Sequence, residues 1–340
     1  MHEQHTNFSA YGPDMMPALL DVWNAATAGS LPLGTRLWRQ NVDNSPLFHA
    51  EDCRVALAED GTVSGFVITR ILTDADIAAN PDMAEHRELG HVMLLAVHPR
   101  HQRQGTGSRL LEWAEERLRS QGAATICLWG PSGHLIPGPP AGDEAALTFW
   151  RHRGYVLKDT VFDVRAALDN WQPPEPPAQI AAGNYALVQG KTGEEDEIVS
   201  FMSAAFPGRW RYDMASAFER GYAPADVTLV RERGGQISGF LCAFHGESGY
   251  LGGGSLLYPL LRPGKWGGIG PLGISDSARG HGLGLALVAA GVSYLHGKGV
   301  RDCSIDWTTL VDFYGKLGFA PWKSYYIMEK GNAEEHPQAL

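Results

Sequence analysis

The sequence has no apolar run of about 20 residues, the length that a membrane-spanning helix needs, so we expect no membrane association. It also has no excess of basic residues, because 28 Lys and Arg stand against 38 Asp and Glu, a formal net charge of −10. That charge disfavours nucleic acid as a partner and mildly favours a cationic substrate. Residues 1–7 contain neither a basic nor an apolar leader segment, so we expect a cytoplasmic protein.

Cysteine is scarce, and its residues are isolated from one another. The four cysteines, Cys53, Cys127, Cys242 and Cys303, each lie in an apolar, strand-like stretch and form no C-x-x-C pair. Zinc sites and disulfide frameworks need cysteines in patterned groups. We therefore expect four core cysteines, no disulfide framework and no metal site.

The most informative feature that is present is a glycine-containing hexad that occurs twice. The first hexad spans residues 102–107 and the second spans 279–284, so equivalent glycines are 177 residues apart (105 to 282). Each hexad follows a short apolar stretch typical of a buried strand and precedes apolar residues at helical spacing. A glycine turn at such a junction exposes backbone amides and points the positive end of a helix at an anion.

Two common phosphate-binding motifs do not fit these hexads. A dinucleotide-binding turn needs G-x-G-x-x-G with an acidic residue about 20 positions further on, and neither copy has that arrangement. A P-loop needs a lysine directly after its last glycine, and both copies lack it.

The length and the repeat together predict two related domains. A soft expectation of about 150 residues per domain gives two domains for 340 residues. The paired prolines of 171–177 forbid helix and favour an extended spacer. We expect a first domain at 1–170, a linker at 171–182 and a second domain at 183–332.

Both hexads resemble the pyrophosphate-binding motif of the GNAT superfamily of acyl-CoA-dependent N-acetyltransferases, Q/R-x-x-G-x-G/A after a strand. The family's second signature, Y-x-x-x-G-F/Y, matches in full at 314–319, whereas the first half has Trp150 in place of the tyrosine. The resemblance covers roughly 8–165 and 184–330. It implies an α+β fold with two tandem domains, each a mixed, mostly antiparallel sheet flanked by helices.

The periodicity of the chain predicts the individual elements. Predicted helices lie at 15–28 and 195–205 and after each hexad. Predicted strands lie at 54–58, 63–72, 91–97, 125–129, 185–188, 228–231, 237–244, 266–274 and 303–307.

By this resemblance, both hexads would hold the pyrophosphate of acetyl-CoA. The cofactor-binding residues implied in the first half are Leu95, Val97, Gln102, Arg103, Gln104, Gly105, Thr106, Gly107 and Ser108. Those implied in the second half are Leu272, Ile274, Arg279, Gly280, His281, Gly282, Leu283, Gly284 and Leu285.

Acetyl transfer to an amine needs a neutral nucleophile, a stabilised oxyanion and a proton for the departing thiolate. The resemblance implies Tyr314 as the general acid, and a phenol with a pKa near 10 is protonated at neutral pH. The glycines at 267–273 suggest a bulged strand whose amide near Leu272 faces the thioester carbonyl. The best-placed general base is Asp306, with His245 and Glu247 as alternatives.

The first half departs from the family pattern at the position of the general acid. An indole N–H at Trp150 cannot protonate a thiolate at neutral pH, so we expect this half to be catalytically degenerate while it keeps a coenzyme A cradle with an amide near Leu95. The alternative is that Tyr155 or His134 supplies the proton there.

Among tandem members of the family, the chain resembles mycothiol synthase and bacterial glucosamine/glucosaminide N-acetyltransferases. The resemblance implies a small-molecule primary amine as substrate, with an amino sugar as the first candidate, and an acceptor pocket lined from 206–213 and 250–258. Two other classes stay open: a non-catalytic acyl-CoA-binding or sensing module, and a protein or peptide N-acetyltransferase. We expect a monomer or a homodimer.

Overall fold

The computed structural model describes residues 7–252, 256–262 and 264–331. The strands of these residues are β1 (Asn7–Ala10), β2 (Cys53–Leu57), β3 (Val63–Arg70), β4 (Leu89–Val97), β5 (Thr125–Cys127), β6 (Val156–Ala167), β7 (Tyr185–Gln189), β8 (Val227–Glu232), β9 (Ile237–His245), β10 (Trp266–Ile274), β11 (Asp302–Thr308) and β12 (Ala320–Lys330). The α-helices are α1 (Met16–Ala26), α2 (Thr35–Trp38), α3 (Asp74–Ala79), α4 (Thr106–Ser120), α5 (Glu144–Arg151), α6 (Ala178–Ala181), α7 (Glu195–Ala205), α8 (Arg209–Glu219), α9 (Tyr258–Leu261), α10 (Leu283–Gly297) and α11 (Val311–Gly315).

The predicted elements are present, with shifts of a few residues at their ends. The helix predicted at 15–28 is α1, and the helix predicted at 195–205 coincides with α7. The strand predicted at 125–129 is the shorter β5, which ends at Cys127. No helix in the described part of the chain is both long enough and apolar enough to cross a bilayer.

The chain forms two compact units. Among the described residues, unit 1 comprises 7–160 and 325–331, and unit 2 comprises 161–324. The division therefore falls inside β6 and inside β12, and the proline-rich segment 171–182 belongs to unit 2. That segment packs there because Trp171 contacts the core of unit 2 and donates its indole N–H to Ser293 Oγ at 3.1 Å.

Unit 1 contains one mixed sheet. Its strand order is β1, β2, β3, β4, β5 and then the last residues of β12. Neighbours run antiparallel except for β4 and β5, which are parallel. Helix α4 packs on this sheet with Leu110, Leu111, Ala114 and Leu118 fully buried, which are the positions that its helical spacing predicts.

Unit 2 repeats this arrangement. Its strand order is β7, β8, β9, β10, β11 and then residues 161–167 of β6, and only β10 and β11 are parallel. Helix α10 packs on the sheet with Leu287, Val288 and Leu295 buried. The sheets and their flanking helices confirm the α+β class in both halves.

Equivalent elements of the two units also match residue by residue. Helices α4 and α10 have 15 residues each, and each begins directly after its left-handed glycine, Gly105 or Gly282. The parallel pairs match as well, because Gly90 pairs with Ile126 and Gly267 pairs with Cys303. The offset of 177 residues therefore relates β4, α4 and β5 to β10, α10 and β11.

Candidate active site

The candidate site of unit 2 lies where two parallel strands separate. Strands β10 and β11 pair from Trp266 and Asp302 to Ile269 and Ile305, and their pairing stops there. Beyond that point β10 continues toward the second hexad, and β11 continues through Asp306. We call this opening the strand split.

A β-bulge in β10 lies at the start of the strand split. Ile269 pairs with Ala243 and Leu272 pairs with Leu241, so Gly270 and Pro271 together face one residue of β9. The glycine-rich sequence therefore forms the bulge that it predicts, with Leu272 directly after it. The contact of the Leu272 amide with a thioester stays a prediction.

The second hexad forms a turn whose backbone requires glycine at two positions. Gly280 has φ +85° and Gly282 has φ +73°, the left-handed region that side chains with a Cβ rarely adopt. Gly282 caps α10, so the unpaired N–H groups of the first turn of a 15-residue helix lie at the hexad. This geometry suits a pyrophosphate.

The first hexad has the same shape with different residues. Gly105 caps α4 at φ +84°, and Arg103 takes the position of Gly280 at φ +62°. The side chains that open the hexads also act alike, since Gln102 Nε2 donates to the Val97 carbonyl at 3.0 Å and Arg279 Nε donates to the Ile274 carbonyl at 3.3 Å. These two side chains therefore brace the turn.

Tyr314 lies on α11 within the core of unit 2, and 6% of its surface is exposed. The rings of Phe313 and Phe319 are 5.1 and 6.4 Å from its ring centroid. Burial, together with the Asp306 carboxylate, raises the pKa of Tyr314 to about 12. The phenol is therefore protonated at neutral pH.

Asp306 lies in a second β-bulge, this one in β11. Ile305 pairs with Val164 and Thr308 pairs with Phe162, and between them Trp307 has a left-handed backbone with φ +46°. Burial and the neighbouring Asp163 carboxylate raise the pKa of Asp306 to about 8, against the opposing charge of Arg209. A carboxyl group with that pKa can exchange a proton near neutral pH.

The two alternative bases are remote from the strand split. His245 pairs with Gly267, roughly 16 Å along β10 from Leu272 at about 3.3 Å per residue. Its ring Nε2 lies 3.0 Å from Asp226 Oδ1, and the carboxylate of Asp226 also accepts from Ser248. The histidine is thus part of a buried polar cluster, and Glu247 follows it by two residues.

The predicted acceptor segment 206–213 lies against β10. A Cβ at Gly273 would be 2.5 Å from the ring of Phe206, so glycine allows that ring to lie on the strand. Phe206, Trp210 and Phe240 form an aromatic cluster with centroids 5.3 to 6.0 Å apart. Arg209 places its guanidinium 4.8 Å from the ring centroid of Trp307.

The predicted segment 250–258 includes 253–255, which lie outside the described residues. Its last residue, Tyr258, is 1% exposed and donates its hydroxyl to Asp302 Oδ1 at 2.6 Å. Asp302 begins β11, so Tyr258 is at the opposite end of that strand from Asp306.

In unit 1, a cleft of about 1140 Å³ extends from the first hexad along β4 to α5. The implied contacts Leu95, Val97, Gln102, Arg103, Gly105, Gly107 and Ser108 line it, and Trp150 lines it at the position of Tyr314. Tyr155 and His134 are not among its lining residues. Burial, with the nearby Glu115, raises the pKa of Tyr155, so that phenol is a poor proton donor.

The sequence comparison identifies the family. Residues 18–132 and 195–319 match the acetyltransferase (GNAT) family, which is well over half of the chain in two segments. The chain belongs to the GNAT acetyltransferase family and is an acyltransferase. Members of this family use acetyl-CoA as the acetyl donor.

Relatives and solved structures agree with this assignment. The mycothiol acetyltransferase of Pseudarthrobacter chlorophenolicus is 27% identical over 261 residues, 74% of this chain and 73% of the relative. That of Saccharopolyspora erythraea is 27% identical, over 72% of this chain and 78% of the relative.

Two solved structures share the fold over nearly the whole chain. A GCN5-related glucosamine N-acetyltransferase region of a fungal multi-domain GH3 β-N-acetylglucosaminidase has a TM-score of 0.83 and 24% identity over 96% of this chain, which spans 38% of that longer protein. A tandem GNAT protein from the clavulanic acid biosynthesis pathway has a TM-score of 0.65 and 18% identity, over 98% of this chain and all of that protein. The tandem GNAT architecture is therefore shared.

Proposed function

We propose that unit 2 transfers an acetyl group from acetyl-CoA to the primary amine of a small molecule, by direct attack of the amine. The observation that carries this proposal is the proximity of Asp306 and Tyr314, which are close enough for the Asp306 carboxylate to raise the pKa of Tyr314. With both pKa values raised, Asp306 can exchange a proton near neutral pH while Tyr314 keeps its proton. An amino sugar is the acceptor that we favour.

In the proposed binding mode, the second hexad and the first turn of α10 hold the pyrophosphate of acetyl-CoA. The left-handed turn at Gly280 and Gly282 leaves the backbone N–H groups open to an anion. Leu272 directly follows the bulge at Gly270 and Pro271. In this mode its amide would donate to the thioester oxygen as negative charge develops.

The proposed chemistry needs three proton transfers, because the nitrogen loses two protons and the thiolate gains one. Asp306 accepts a proton from the substrate ammonium, directly or through water, which frees the nitrogen lone pair. As the nitrogen–carbon bond forms and the carbon–sulfur bond breaks, Tyr314 donates its proton to the departing thiolate. The acetylated nitrogen then loses its second proton, which restores the phenol of Tyr314 through solvent.

The amino-sugar preference rests on two supports. The aromatic cluster of Phe206, Trp210 and Phe240 borders the acceptor side of β10, and sugar faces stack on aromatic rings. The second support comes from two names, mycothiol acetyltransferase for the relatives and glucosamine N-acetyltransferase region for one solved structure, because both name small molecules and glucosamine is an amino sugar.

We also propose that unit 1 is a coenzyme A-binding half without turnover. Its hexad and its cleft are intact, but Trp150 stands at the position of Tyr314 and Trp129 at the position of Asp306. Neither indole can carry the proton that its counterpart in unit 2 carries.

A mass-spectrometric screen tests the proposed function. The full chain is incubated with acetyl-CoA and a panel that contains glucosamine, other small primary amines and peptides with free N-termini. We expect a product heavier by one acetyl group on nitrogen for an amino sugar. Acetylation of peptides alone would favour the protein-directed alternative, and no product with any amine would favour the sensing alternative.

A further inference from the structure

A carboxylate from the first repeat's sequence lies at the site of unit 2. Asp163 follows the first repeat's signature at Gly154, but residues 161–167 of β6 pair with β11 in unit 2. Because Val164 faces Ile305 and Phe162 faces Thr308, Asp163 alone stands opposite Asp306 and Trp307. The bulge therefore brings two carboxyl groups together across one strand pair.

The backbone of the bulge is bound to Asp163. The Trp307 N–H donates to Asp163 Oδ1 at 3.2 Å, and Asp163 is 5% exposed. This hydrogen bond supports the left-handed backbone of Trp307, a conformation that costs free energy for a bulky residue. The position of Asp306 thus depends on the side chain of Asp163.

The charged and titratable groups around the pair come from three further elements. Arg209 of α8 opposes the charge of Asp306, Tyr314 of α11 faces Asp306, and Lys323 of β12 faces Asp163. Burial lowers the pKa of Lys323, and Asp163 works against that shift. Two carboxyl groups in such a place ionise one after the other, because the first charge disfavours the second.

The repeat indicates that the fold itself does not need these carboxyl groups. In unit 1, the Leu128 N–H donates to the Met328 carbonyl, and these two residues correspond to Ile305 and Val164 of unit 2. The next residues along the two strands are then Trp129 at the position of Asp306 and Ile327 at the position of Asp163. Unit 1 has the same sheet with both positions apolar or aromatic. Both acids and Tyr314 occur in the unit that has the second bulge.

We propose that Asp163 is a positioning residue that holds Asp306 in a proton-sharing carboxyl pair across the β11 bulge, so that Asp306 takes the proton of the substrate ammonium. This inference rests on the function proposed for unit 2. In the step, the ammonium N–H bond breaks and its proton goes to the ionised Asp306, which later releases it to solvent. The nitrogen lone pair forms the bond to the acetyl carbon, and the carbon–sulfur bond breaks as Tyr314 protonates the thiolate. The second proton of the nitrogen then restores Tyr314. The negative charge of Asp163 raises the proton affinity of Asp306 for this task.

The test is the pH dependence of kcat/KM for the amine in the Asp163→Asn variant. Asparagine keeps an oxygen that can accept from the Trp307 N–H but has no charge. We expect the midpoint of the rising limb, near pH 8 in the unmodified chain, to move down by about one pH unit or more. The control is Asp312→Asn, which removes an exposed carboxylate from α11 and should leave the limb in place.

A second measurement works without turnover. In protein labelled with carbon-13 at the aspartate carboxyl groups, one resonance should titrate near pH 8, disappear in Asp306→Asn and move to lower pH in Asp163→Asn. An unchanged limb and an unchanged titration in Asp163→Asn would overturn the inference. Failure of the unmodified chain to acetylate any amine would instead overturn the proposed function.

Discussion

At the scale of single residues, unit 2 keeps a carboxyl group in a place that favours its neutral form. Burial and Asp163 raise the pKa of Asp306 far above the value near 3.9 that an unfolded chain gives. The buried phenol of Tyr314 keeps its proton beside it. A matched pair of proton acceptor and proton donor is what acetyl transfer to an amine requires.

The raised pKa of Asp306 predicts a dependence of stability on pH. The folded chain holds this proton up to about pH 8 and the unfolded chain only to about pH 4, so the contribution of Asp306 is lost as pH rises through this window. Asp306→Asn does not titrate. We expect the difference in free energy of unfolding between the variant and the unmodified chain to move in favour of the variant from pH 5 to pH 8.5. The upper limit of this change is about 4 kcal/mol, because stability changes by about 1.4 kcal/mol per pH unit over about three units.

Urea denaturation at the two pH values measures this difference. The same variant should lose acetyl transfer, so its relative gain in stability with rising pH would come with a loss of activity. A difference in unfolding free energy that is equal at pH 5 and pH 8.5 would mean that the pKa of Asp306 is not raised.

At the scale of elements, the two units share one bulge but not the other. Strand β4 shifts register against β3 beside Met93, as β10 does against β9 at Gly270. Strand β5 ends at Cys127, whereas β11 continues through a second bulge to Thr308. The β-bulge at Asp306 and Trp307 is therefore specific to unit 2.

The hexads offer matched glycine substitutions. Gly282→Ala puts a Cβ on a left-handed residue and 3.3 Å from Pro177, so we expect a loss of roughly 1–2 kcal/mol in stability and a higher KM for acetyl-CoA. Gly105→Ala strains the equivalent turn of unit 1, where the Cβ meets no atom within 4 Å. It should lower stability similarly and leave turnover unchanged.

Thermal unfolding and steady-state kinetics of both variants check this prediction. An equal rise in KM for acetyl-CoA in Gly105→Ala would assign turnover to unit 1 as well. No change in KM in Gly282→Ala would remove the second hexad from the donor site.

At the scale of the whole molecule, the sequence predicted the repeat and the tandem GNAT fold but not every partner at the site. Glycine spacing and apolar periodicity are local signals, and they located both hexads and the helices that follow. Asp163 carries no such signal, because its role depends on β6 pairing with β11, which lies about 140 residues later in the chain. In the proline-rich segment 171–182, which the sequence predicts to be a linker, Trp171 and Ile180 pack against the core of unit 2.

The asymmetry of the two units predicts that one substitution cannot activate unit 1. Adding Trp150→Tyr to a Tyr314→Phe chain restores the phenol of the family signature, but Trp129 and Ile327 still replace the two carboxyl groups. We expect acetyl transfer by the double variant to stay at the level of Tyr314→Phe. Thiol release measured with both chains checks this, and recovery in the double variant would show that the phenol alone is limiting.

If the chain acetylates amines in unit 2, as we propose, its turnover depends on Tyr314 as the general acid. The most direct measurement is kcat for coenzyme A release in Tyr314→Phe, with Tyr155→Phe as the matched loss of a buried phenol in unit 1. We predict a fall of about 100-fold or more for Tyr314→Phe, the usual contribution of a general acid, and no change for Tyr155→Phe. A Tyr314→Phe chain that turns over at the unmodified rate would show that Tyr314 is not the general acid.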